Sequence, residues 1–118
     1  MSKWHVILAE RAEADLRETY EHIAYTLLEP QIAKNVIQRI KKRVYKLEYS
    51  PDSYALYQKE PWKSRGLRRV NSGNYAIFFI PEEEKGKIVT VIRIMYGGRD
   101  IERILDDMVD NEDSEEAN

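Results

Sequence analysis

Four cations gather around one short stretch: Lys63, Arg65, Arg68 and Arg69. Guanidinium forks match phosphate oxygens and also stack on bases. Trp62, Tyr75 and Tyr96 could supply the stacking faces used in single-strand RNA recognition. Arg99 follows Gly97-Gly98, where backbone N–H groups are open to an anion, and Arg93 adds a cation to the last apolar run. Such a set suits phosphate binding, or cleavage helped by positive charge on a phosphorane-like transition state. A tyrosine or lysine base would need a depressed pKa to work at neutral pH. The two histidines, His5 and His22, lie far from the arginines in sequence. No His/Asp/Glu spacing suits a metal, no glycine loop cradles phosphate, and there is no nucleophile elbow, so no cofactor is expected.

Blander roles compete for the same residues. In a strand, Arg68 and Arg69 point to opposite faces, so at most one shares a site with a given neighbour. Tyr75 also suits a core, and Arg99 with Asp100 could brace a final helix.

The elements that must position these side chains follow from periodicity. Trp4 to Leu8 reads as a strand. Leu16, Tyr20, Ile23, Ala24 and Leu27 fall on one helical face, with Glu10, Glu13, Arg17, Glu18 and Glu21 on the other. Pro30 opens a second helix to about Leu47, with Ile32, Val36, Ile40, Val44 and Leu47 inside and Lys34, Arg39, Lys41, Lys42, Arg43 and Lys46 outside. A loop through about Lys63 leads to strands at Leu67 to Asn71, Tyr75 to Ile80 and Ile88 to Tyr96. Asp100 to Met108 reads as a last helix. The fold expected is α+β: an N-terminal strand, a helical hairpin, then a three-stranded antiparallel meander forming one sheet, in the order β-α-α-β-β-β-α. Tyr75 to Ile80 is apolar on both faces, so the face away from the hairpin needs a cover: the last helix, a second copy or another protein.

The chain has 118 residues, fitting one domain over 1–105. It has no cysteine, which excludes a disulfide framework or thiolate metal site. No apolar run is long enough to span a bilayer and no signal-peptide pattern opens the chain, so a soluble, cytoplasmic protein is expected. The net charge of −2 conceals an asymmetry. Residues 106–118 hold seven acids and no base, leaving 19 basic against 14 acidic residues in the body. That tail is expected to be disordered, or able to fold back, and its removal is expected to leave folding unchanged.

Gly66-Leu-Arg-Arg69, Gly73-Asn-Tyr75 and Ile94-Met-Tyr-Gly-Gly-Arg-Asp100, after the helix segment Ala12-Glu-Ala-Asp-Leu16, resemble the RelE/ParE superfamily of toxins from type II toxin–antitoxin modules. The resemblance spans roughly Val6 to Leu105. It implies a toxin that inhibits bacterial growth and is neutralised by a cognate antitoxin protein. RelE-like members cut mRNA on the ribosome with basic residues and a terminal tyrosine or histidine; ParE-like members inhibit DNA gyrase without nuclease activity. On the first pattern the catalytic set would be Arg65, Arg68, Arg69, Tyr96 and Arg99, with Lys63, Trp62, Tyr75 and Arg93 contacting substrate. Ala76 departs from it, because many members carry arginine there. A gyrase inhibitor, or a degenerate non-toxic antitoxin-binding module, stands as the alternative. The partners implied are the antitoxin and either ribosome-bound mRNA or gyrase, with a homodimer as a further expectation and no membrane.

Overall fold

A computed structural model of the protein describes residues 3–116. The elements are β1 (His5–Leu8), α1 (Glu10–Glu21), a π-helical turn (His22–Thr26), α2 (Pro30–Tyr45), β2 (Arg68–Ser72), β3 (Tyr75–Glu82), β4 (Ile88–Tyr96) and α3 (Ile101–Glu116). They form the α+β arrangement expected. The sheet order is β1-β4-β3-β2, with β1 parallel to β4 and the other pairs antiparallel.

Alternation along the central strands makes two cores. Ile77, Phe79, Val89, Val91 and Ile94 meet Ala12, Ile40, Val44 and Leu47 of the hairpin. Ala76, Phe78 and Met95 face the other way, onto Trp62, Leu67 and Leu105, with Ile101, Ile104, Met108 and Val109 packed alongside. The second face of β3 is therefore covered by α3, one of the three covers expected.

The helix does not stop at Met108. It runs to Glu116, so the acidic segment expected to be disordered from residue 106 continues α3 instead. Met108 and Val109 extend the stripe begun by Ile101, Ile104 and Leu105. Two cations neutralise part of the acidic side: Lys59 Nζ lies 2.5 Å from Glu102 and 3.0 Å from Asp106, and Arg65 lies 3.0 Å from Glu112. Trp62 Nε1 donates to the Leu105 carbonyl at 3.1 Å. Ending the chain at Leu105 is thus expected to destabilise it, not leave it unchanged. Losing the burial that two half-buried side chains, Met108 and Val109, contribute costs about 2 kcal/mol. A urea midpoint that does not move on truncation would contradict this.

The first helix also departs from the expected register. Leu27 N–H donates to the His22 carbonyl at 3.0 Å, an i→i+5 bond that closes the π turn. Beyond it Leu27, Leu28 and Ile32 are exposed at 55%, 77% and 50%, although periodicity had placed Leu27 and Ile32 inward. The extra backbone atoms in the turn rotate the chain and carry an apolar lip to the surface.

Candidate functional site

Arg93, expected to contact substrate, lies buried against Asp15. It is 4% exposed and its guanidinium grips Asp15 with two bonds, Nε–Oδ2 at 2.8 Å and Nη2–Oδ1 at 2.9 Å. Asp15 Oδ2 also accepts the Ile94 N–H at 2.8 Å. β1 ends opposite Val91, so Asp15 serves the stretch of β4 beyond the last β1 partner. The bulge between Phe78 and Phe79 falls where Arg93 joins the register. A bidentate, charge-assisted pair of this kind ties α1 to the sheet.

The other expected residues divide between two regions. Trp62 is 3% exposed and belongs to the core under α3, so it offers no stacking face to a base. Arg65 stacks over Trp62 at 5.0 Å and pairs with Glu112; Lys63 is exposed nearby in sequence. Arg68 turns to the hairpin side, where its Nη1 donates to the Tyr54 carbonyl, while Arg69 lies over the Phe78 ring at 5.5 Å on the α3 side. Ala76 has no exposed surface and packs among Trp62, Phe78, Met95 and Leu105. An alanine suits that place because α3 leaves no room for a long cationic side chain.

Tyr75, Tyr96 and Arg99 do come together. They line a cavity of about 600 Å³ between the end of the sheet and the helical hairpin, with Thr19, His22 and Glu29 among the facing residues. Tyr75 stands opposite Tyr96 in register, ring centroids 5.6 Å apart and tilted by 59°. Gly97 and Gly98 make this possible. The Gly97 N–H donates to the Asn74 carbonyl at 2.7 Å, and a Cβ on Gly98 would stand 2.7 Å from the Tyr96 ring. Gly98→Ala is accordingly expected to leave the melting temperature within about 2 °C while turning Tyr96 off Tyr75, since Tyr96 is exposed and free to rotate. Loss of cross-relaxation between the two rings by NMR would check it.

Burial, and secondarily the neighbouring Tyr96, push the Tyr75 phenol above its ordinary value, with Arg99 opposing. Tyr75 is therefore a hydrogen-bond donor and not a base at neutral pH. Arg69 and Tyr96 border a second, smaller concavity of about 280 Å³, with Asn71, Asn74 and three glycines, Gly73, Gly97 and Gly98. Tyr96 is the residue common to both.

Sequence reasoning missed the helical wall of the larger cavity: Glu18, Thr19, His22, Ile23, Leu27, Glu29 and Ile32. His22 lies far along the chain from the arginines, so its place beside Tyr75 and Tyr96 has no sign in the sequence. Glu18 and His22, four residues apart, share the helix edge that lines the cavity, a signal visible only once the hairpin is laid on the strands. Among the described residues no cluster of His, Cys, Asp or Glu could hold a metal, and no helix is long and apolar enough to cross a membrane.

Comparison with known proteins agrees with this architecture. A chromosomal ParDE toxin–antitoxin system from P. aeruginosa matches with a TM-score of 0.65 and 24% identity, over 80% of this chain and 96% of that one. The RelBE2 toxin–antitoxin complex from Mycobacterium tuberculosis matches with a TM-score of 0.57 and 17% identity, over 80% of this chain and 98% of that one. Both likenesses concern the fold. No curated protein sequence matches the chain. The model of the ParE toxin of the type II toxin–antitoxin system parDE matches residues 6–101, and the chain therefore belongs to the ParE toxin family of the RelE/ParE superfamily.

Proposed function

We propose that this protein inhibits bacterial growth as the toxin half of a two-protein module, and that it does so by binding DNA gyrase and not by cutting mRNA. The observation carrying this reading is how the cations are deployed. Arg65, Arg68 and Arg93 are committed to Glu112, Tyr54 and Asp15, and Ala76 is sealed under α3. Lys63 and Arg69 are exposed but do not line the larger cavity; Tyr96 and Arg99 stand there beside the apolar lip of Leu27 and Ile32. Exposed aromatic, arginine and aliphatic groups around a concavity are the composition of a protein-docking hot spot. A cognate antitoxin is the second partner, as in the toxin–antitoxin systems whose folds this chain shares.

In a purified supercoiling assay the chain is expected to inhibit gyrase. Arg99→Ala is expected to raise the half-inhibitory concentration about tenfold or more, the effect of losing a 1.4 kcal/mol contact. Arg65→Ala should change it less than about twofold. Equal effects of the two, or no inhibition by the parent protein, would overturn the reading. The second reading, mRNA cleavage, rests on Arg69 and Tyr96 sharing the smaller polar concavity. It requires that Arg69→Ala abolish cleavage of ribosome-bound mRNA.

A further inference from the structure

We propose that the outer face of α2 is a docking surface for duplex DNA, held through its phosphate backbone. No acid occurs between Pro30 and Leu47, whereas six cations do. Among the described residues the salt bridges of α1 are Arg11 with Asp15 and Glu18, and Arg93 with Asp15. None of the six α2-side cations is in a salt bridge there. Arg39 and Lys42, one helical turn apart with Asn35 and Gln38, border a shallow concavity of about 260 Å³. Lys34 and Lys46 stand toward the two ends of the helix, about 18 Å apart at 1.5 Å per residue. The opposite side of the helix is pinned by Ala33, Ile40 and Val44, so the cations ride on a rigid rod.

The chemistry of the face selects its partner. A helix of ordinary diameter fits the roughly 12 Å major groove, and amide and guanidinium groups suit phosphate and base edges alike. Asn35, Gln38, Arg39 and Lys42 include no aromatic ring on which an unpaired base could stack, which disfavours single-stranded RNA. The apolar side of α2 is buried in the core, which removes the means of lying in a lipid interface. Glu13 of α1 shares a concavity with Lys41, whereas no acid lines the one at Arg39 and Lys42. The acidic helix α3 packs on the opposite face of the sheet, two layer spacings of roughly 10 Å away, beyond the screening length of about 8 Å at physiological salt.

The test uses the purified full-length chain, a 20-base-pair duplex of random sequence and fluorescence anisotropy, with no gyrase present, so it stands or falls apart from the gyrase reading. Engagement of Lys34, Arg39, Lys42 and Lys46 with four phosphates predicts a slope of log K on log salt of about −3.6, or a loss of about 150-fold between 50 and 200 mM. The doubly substituted Arg39→Gln/Lys42→Gln protein, altered only at exposed positions, should show a slope near −1.8. Lys59→Gln/Arg103→Gln, which removes the same charge on the α3 side of the sheet, should bind as the parent does. Absence of binding at 50 mM salt overturns the proposal. So does an equal loss in both double variants, or tighter binding of a single-stranded uridine 20-mer than of the duplex.

Discussion

Asp15→Ala is expected to destabilise the protein by about 3–5 kcal/mol, the cost of leaving a buried charge without its partner. Asp15 accepts three short hydrogen bonds, two from Arg93 and one from the Ile94 N–H. Its loss strands all three donors at once. Domains of this size are stable by only about 5–15 kcal/mol, so a large share of the total is at stake. Arg93→Met alone should also be strongly destabilising, because it strands the carboxylate. The double variant should cost distinctly less than the two singles added, since the charge it leaves is nil and only the Ile94 N–H stays unpaired, at about 1–3 kcal/mol. Urea unfolding of the four proteins measures the coupling. Strict additivity would mean that the pair is not the tie between α1 and β4 described above.

Ala76→Arg carries the second large effect. The substitution would place a guanidinium among Trp62, Phe78, Met95 and Leu105. Overpacking adds about 1–3 kcal/mol and an unpaired buried charge adds more, so a total of about 4 kcal/mol or more is expected while α3 stays in place. The cheaper response is for α3 to leave. The Trp62 Nε1–Leu105 carbonyl bond would then break and the indole would meet water. A red shift of tryptophan emission with loss of helical circular dichroism is the expected result. Trp4, in the opposite core, supplies an emission component that should stay constant. A stable variant with unshifted emission would show that α3 does not exclude a cation at this position.

The order of elements was legible because each rests on a local period. Leu16, Val36, Ile40 and Val44 repeat as helices do, and the residues from Tyr75 to Ile80 alternate as a two-faced strand does. The Asp15–Arg93 pair was not legible from alternation. Asp15 shares the helical stripe of Ala12 and Leu16, but the bulge opposite Phe78 and Phe79 breaks the parity of β4, so that Val91 and Ile94 both join the hairpin core. By residue type alone Arg93 reads as a cation for phosphate. Trp62 was misjudged in the same way, since a loop tryptophan gives no local sign that a helix some forty residues later will bury it. The π turn leaves no periodic signature at all. It is a one-residue slip in hydrogen bonding, and its consequence, the exposure of Leu27 and Ile32, appears only in three dimensions. The acidic tail misled through composition: seven acids masked the spacing by which Met108 and Val109 continue α3.

Of the candidate site, the part around Gly97-Gly98-Arg99 was readable because Tyr75 and Tyr96 flank turns that must meet at one end of the sheet. The cluster Arg65, Arg68 and Arg69 was close in sequence but is divided by the sheet, as strand alternation requires. Proximity along a strand is a poor guide to a shared site.

Holding gyrase and cutting RNA leave different marks in a cell. The most direct measurement is induction of the protein alone in bacterial cells, following plasmid supercoiling and transcript integrity in the same culture. Growth arrest with loss of negative supercoiling and intact transcripts is the predicted result. Fragmented transcripts with supercoiling unchanged would contradict it.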